Sequence, residues 1–185
     1  MRDDLPLEAA WREHARRHGL REVKLGQHAT ALRAALEVEV ELFGGAAYRE
    51  RLRLTQLTSA AVSALLCDHQ PYLLGLPAVG LAAQAAQLDL VIFDDEAEAI
   101  VRLLMDRGLS YQATQQRWSH REGGPEWTAP GFVIGTPGMD AQIHVLPIRA
   151  ERMPLFSHGH AVWLSKADPA SALSTEGPNP SAAED

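Results

Sequence analysis

Apolar residues recur first at helical and then at strand spacing, and this change of rhythm divides the chain in two. In residues 7–18, Leu7, Ala10, Trp11 and Ala15 fall near helical spacing, with charges between them and Gly19 as a stop. The stretch 36–42 (LEVEVEL) alternates strictly, which reads as a half-buried strand before the Gly44-Gly45 turn. Leu32, Leu36, Val40 and Phe43 also satisfy helical spacing, so both readings stand there. Residues 47–67 read as a helix, with Leu54, Leu57, Ala61 and Leu65 along one side.

From Pro71 onward the rhythm is that of an α/β unit. Residues 72–74 form a short apolar strand ending at Gly75, and Pro77 suits the first turn of a small-residue helix over 78–86. The β-branched run 88–93 (LDLVIF) is a strand cut off by Asp94 and Asp95. Asp95 and Glu98 then set a D-x-x-E start for a helix closing at Gly108. Strands follow near 111–118, 131–135 and 140–146, with turns at Gly123-Gly124-Pro125 and Thr136-Pro137-Gly138. The end is rich in Pro, Ser and Ala, so residues 166–185 are expected to form a disordered tail. The expected division is an N-terminal extension over 1–46, an α/β domain over 47–165, and that tail.

Composition narrows the classes. The chain has 185 residues, of which 46% are hydrophobic, enough for one domain with a sizeable core. A formal net charge of -7 argues against a nucleic-acid partner. Arg12, Arg16, Arg17, Arg21 and Lys24 nevertheless crowd the start, where the N-terminal helices could meet an acidic protein partner. One cysteine, Cys67, excludes an internal disulfide and a cysteine-based zinc cluster, and its apolar surroundings predict a buried, inert thiol. No apolar run reaches membrane-spanning length and no signal core is present, so a cytoplasmic protein is expected.

Three residues concentrate the chemistry: Gly75 after a strand, Asp89 within the next, and Asp140 in a later one. Alternation puts Gln87, Asp89 and Val91 on one strand face, and a carboxylate there is costly unless something pairs with it. Taken alone, Asp89 is a sheet-edge residue paired with an arginine or water. The stretch PYLLGLPAVGLAAQAAQLDLVIFDD (71–95), followed by PGFVIG…MDAQIHVLPI (130–148), resembles the polymerase-β-type nucleotidyltransferases, and most closely a small uncharacterised branch of them. The resemblance covers about residues 47–163.

That resemblance implies an α/β (α+β) fold, a mixed sheet flanked by helices, binding Mg2+ and an NTP. Asp89 then matches the second metal-binding carboxylate, Asp140 the third, and Gly75 the first residue of the phosphate-binding turn. Departures stand beside the matches. Gln87 replaces the first carboxylate, Leu76 replaces the second small residue of the turn, and no basic residue lies between Leu73 and Phe93. His144 shares a strand face with Asp140 and Gln142, and with His158 and His160 it suggests a two-histidine, one-carboxylate metal site. The ordinary alternative for these histidines is solvation or hydrogen bonding. Two functions follow from the whole. One is a Mg-dependent nucleotidyltransferase with a degenerate site, passing a nucleotidyl group from an NTP to an unknown acceptor. The other is a non-catalytic partner-binding module on the same scaffold.

Overall fold

The computed structural model describes residues 45–83, 86–157, 160–162 and 164–167. The expected elements over 7–18 and 36–42, together with His158, lie outside them. Two helices, α1 (Gly45–Leu65) and α2 (Ala97–Asp106), pack on a mixed sheet, giving an α+β fold. The strands are β1 (Tyr72–Leu74), β2 (Gln87–Phe93), β3 (Tyr111–Ser119), β4 (Trp127–Ile134), β5 (Asp140–Leu146), β6 (Phe156–Ser157), β7 (His160–Ala161) and β8 (Leu164–Lys166). Their spatial order is β7-β6-β3-β4-β5-β2-β1-β8. Only β2 and β5 run parallel; every other pair is antiparallel.

The sheet curls. Seven interstrand gaps of about 4.8 Å would hold flat edges roughly 34 Å apart. Yet β7 and β8, the two edges, are separated by residues 162 and 163 alone, a reach of at most about 11 Å. The curled sheet has two faces with different tasks. Leu88, Leu90 and Ile92 of β2 join Ile143 and Val145 of β5 in a core covered by Val62 of α1 and Leu66 just after it, and by Ile100 and Leu104 of α2. Val91, Trp118, Ala129, Leu146 and Leu155 form a second, smaller core. Tyr72 closes its border by donating its hydroxyl hydrogen to Glu151 at 2.7 Å, and that carboxylate holds the phenol above its usual pKa.

Several expectations need correction. The buried side of α1 is Thr55, Thr58, Ser59, Val62 and Ser63, whereas Leu57 is 50% exposed. Small side chains let the helix come close enough for hydrogen bonds. The Ala83 N–H donates to Thr55 Oγ1 at 3.0 Å, and the hydroxyls of Thr58 and Thr136 meet at 3.1 Å. The helix expected over 78–86 is only a 3-10 turn, Leu76–Val79, because Gly80 takes a left-handed conformation (φ 81°) and ends it. Asp95 does not cap α2; it accepts the Ile148 N–H at 3.1 Å, while Asp94 accepts that of Glu96 at 2.9 Å.

Two further corrections concern strand limits. β4 begins at Trp127 rather than near 131, running through Pro130. β5 pairs only with Gly131–Ile134 of β4, so at Pro130 the strand has one neighbour and tolerates a missing N–H. The boundary expected at 165 falls inside β8, since Lys166 pairs with Tyr72 and the Ala167 N–H donates to Pro71 O at 2.9 Å. Cys67 is exposed, not buried, because α1 stops at Leu65 and the thiol sits on the 3-10 turn that follows. Among the described residues, no helix is long and apolar enough to cross a membrane.

Two substitutions test which side of α1 and β2 carries the core. Leu90→Ala, at a fully buried position, is expected to cost about 2–5 kcal/mol in a denaturant melt. Leu57→Ala should change stability by no more than about 0.5 kcal/mol. A large loss at Leu57 would contradict this assignment.

Candidate functional site

The pairing of β2 with β5 sets the site. Its register opposes Gln87 to Asp140, Asp89 to Gln142, and Val91 to His144. Paired residues of neighbouring strands point to one face, so Gln87, Asp89, Asp140, Gln142 and His144 share the face opposite the helices. The strands 72–74, 88–93 and 140–146 are also neighbours, through β1–β2 and β2–β5 pairing. Asp89 and Asp140 thus stand on the same face, as expected.

What joins them is a directed chain of hydrogen bonds. Gln87 Nε2 donates to Asp89 Oδ1 at 3.3 Å and, through its other hydrogen, to Gln142 Oε1. Gln142 Nε2 then donates to Thr114 Oγ1 of β3 at 3.2 Å. On the other side, His144 Nε2 lies 3.2 Å from Asp89 Oδ1. An ionised carboxylate only accepts, so Nε2 carries the hydrogen. The two partners differ in setting: the His144 side chain is 4% exposed and that of Asp89 is 38% exposed. The strand's carboxylate therefore keeps one buried partner while reaching solvent.

Packing locks the imidazole. The Trp118 ring meets it edge-to-face, with centroids 5.3 Å apart. Gly131 stands between Thr114 and His144 in the register, and this position admits no side chain. A Cβ there would lie 2.9 Å from Thr114 Oγ1 and 3.0 Å from the Ile143 carbonyl. His144 Nδ1, Trp118 Nε1 and Trp127 Nε1 are buried without a hydrogen-bond partner. Thr114, Trp118 and Gly131 went unseen in the sequence. Period-two alternation in 111–118 puts Thr114 and Trp118 on one face, but nothing in the sequence says which strand β3 lies beside.

The other expected residues are placed less centrally. Gly75 ends β1 at φ 71°, a glycine conformation, as the turn there requires. Asp140 is exposed, and no hydrogen bond ties it to Asp89. His160 lies in β7, and its side chain is outside the described residues. Among the described residues, no group of three or more His, Cys, Asp or Glu side chains is placed to hold a metal ion.

The donor set fits a magnesium pair poorly. Two such ions close together need several anionic oxygens. Here the first position offers an amide nitrogen turned toward Asp89, and Asp89 Oδ1 already accepts from Gln87 and His144. An amide N–H is no ligand for a hard cation.

The chain matches no protein family, no curated protein and no solved structure with significant similarity. The site therefore has to be read from its own chemistry.

Gly131→Ala tests how tightly the network is framed. The added methyl is expected to cost about 1–3 kcal/mol in thermal or denaturant unfolding. Thr114→Ala in the same background should return part of that loss, since the nearest contact is the Thr114 hydroxyl. Full tolerance of Gly131→Ala would mean that β3 and β5 are not held in this register.

Proposed function

We propose that this chain is a non-catalytic binding module on a nucleotidyltransferase-like scaffold. One observation carries the reading: Asp89 Oδ1 accepts from both Gln87 Nε2 and His144 Nε2, at 3.3 and 3.2 Å. A carboxylate fixed in this way is prepared to accept a further hydrogen bond from a ligand, with no metal needed to neutralise it. The polar groups beside it on that face are Gln87, Gln142 and Asp140, all neutral or anionic. Such a surface favours a polar molecule rich in donors. It repels a triphosphate.

Nucleotidyl transfer from an NTP to an unassigned acceptor is the second reading. It is favoured by Asp89 and Asp140 standing on one face of adjacent parallel strands, two of the three positions a metal-dependent site would use. In that reading Gly75 gives the backbone its approach to the phosphates.

Calorimetry on the full chain separates the two. For a binding module, ATP with magnesium should produce no more binding heat than ATP alone. Magnesium-dependent binding would overturn the proposal in favour of the transferase.

Gln87→Asp gives a second test. It removes both hydrogen bonds donated by the amide and sets two carboxylates two residues apart, so stability should fall by roughly 1 kcal/mol or more. Manganese affinity should stay where it was. A gain in affinity that Asp140→Asn then abolishes would support the second reading.

A further inference from the structure

Besides its two ends, β7 and β8, the sheet has an open edge along β3. That strand pairs with β4 from Tyr111 to Trp118, whereas β6 on its other side reaches only Trp118 and Ser119. Between Tyr111 and Arg117 the side of β3 away from β4 therefore has no strand beside it among the described residues. Which main-chain groups point there follows from the neighbouring pairs. The Val162 N–H donates to Leu155 O at 3.0 Å, so Leu155 turns its main chain toward Val162. Direction alternates along an antiparallel strand, so Phe156 turns the other way, to Ser119 of β3. Counting back along β3, Tyr111, Ala113, Gln115 and Arg117 turn their N–H and C=O groups to the open side. Pro130 agrees: it stands opposite Gln115, where β3 and β4 exchange no hydrogen bond and a missing N–H costs nothing.

Nothing blunts this edge. The strands at the two ends, β7 and β8, are two and three residues long, and β8 closes on Lys166. From Tyr111 to Gln116, by contrast, β3 carries no proline and no charge, and its ladder with β4 runs without a bulge. Tyr111, Ala113, Gln115 and Arg117 are all exposed, and apart from strand pairing their main-chain groups make no hydrogen bond among the described residues. The approach is open as well. The Leu109 N–H donates to Leu104 O at 2.9 Å and its side chain packs on the main core, so the chain turns out of the sheet just before Tyr111. An unprotected edge of this length is a template for a further strand.

We propose that two copies of this chain pair through β3, antiparallel, about a twofold axis at Thr114. Tyr111 then stands opposite Arg117 of the second copy, Ala113 opposite its Gln115, and Thr114 opposite its Thr114. The first two pairs, each formed twice by symmetry, join outward-turned residues and exchange two main-chain hydrogen bonds apiece. The side chains of the edge are complementary to themselves in this register. Each Arg117 guanidinium meets a Tyr111 ring, no charge opposes a like charge, and threonine faces threonine at a pair of the closer, non-hydrogen-bonded kind. Within one copy Arg117 holds an exposed ion pair with Glu126 at 3.7 Å, which is worth little.

Analytical ultracentrifugation of the full chain tests this. The chain should show a reversible monomer–dimer equilibrium with a Kd in the micromolar range, as suits an interface one strand wide. Ala113→Pro removes an outward N–H and leaves the bonds to β4, so dimerisation should weaken about tenfold or more. Charges at exposed positions test the register without touching the main chain. Ala113→Glu with Gln115→Glu sets like charges opposite each other and should abolish the dimer, whereas Ala113→Glu with Gln115→Lys should restore it. Each variant is first shown to keep the wild-type circular dichroism spectrum; if Ala113→Pro unfolds, the charge variants decide alone. A chain that stays monomeric into the high micromolar range overturns the proposal. So does a dimer that survives the two glutamates, or one that does not return when glutamate faces lysine.

Discussion

β2 must keep Leu88, Leu90 and Ile92 on one side and Gln87 and Asp89 on the other, and the rest of the structure answers to that requirement. Leu88, Leu90 and Ile92 are each fully buried against the helices. Gln87 and Asp89, alternating with them, are carried to the opposite face of the same strand. Slipping the register by one residue would drive a carboxylate into the main core, at a cost of several kcal/mol unless it were paired. Parallel pairing with β5 over seven residues, from Gln87 with Asp140 to Phe93 with Leu146, prevents this. The same pairing brings His144 and Gln142 to the polar row beside Asp89, so packing on one face and hydrogen bonding on the other enforce one register.

His144 shows how the two faces cooperate. It is buried because Val91 and Gly131 oppose it on either side and Trp118 covers it, and it is hydrogen-bonded because Asp89 stands one step along β2. A buried histidine with a fixed tautomer holds a carboxylate in one rotamer. The polar row is therefore rigid at its buried end, around His144, and open at the end where Asp140 meets solvent. Rigidity at one end and access at the other are what a recognition surface requires. Gln87 completes the row by giving both amide hydrogens away, so a neutral amide stands where the first carboxylate of a metal pair would be needed.

Much of this architecture was legible in the sequence because it depends on local patterns. The strand over 88–93, the helix up to Asp106 and the alternation through Asp140, Gln142 and His144 are all set by spacing, and the structure keeps them. The expected sharing of a face by Asp89 and Asp140 needed strand adjacency as well, which came from the resemblance. What was not legible depends on partners remote in the chain. The inner side of α1 is chosen by Ala83 and Thr136, which satisfy Thr55 and Thr58, so of the leucine row Leu54 and Leu65 pack at the border of the core while Leu57 and Ala61 face outward. Lys166, the last residue of β8, reads as the start of a tail, because a three-residue strand with one large apolar residue has no periodicity to read. Thr114 and Trp118 became neighbours of the site only through the order of strands β3, β4 and β5.

The pairing of β8 with β1 has a consequence for how the chain reaches this state. Tyr72, near the start of the described fold, is joined to Lys166, near its end. Contacts so remote in sequence form slowly, because the loop they close has to be ordered first. During synthesis the N-terminal strand β1 leaves the ribosome well before β8 exists. Throughout that interval the outer edge of β1, with its free N–H and C=O groups, stays open to any extended chain nearby. The last few residues of the fold thus act as a closing clasp. A nascent or clipped molecule lacking them would keep both helices and most of the sheet, yet present a sticky edge to its neighbours.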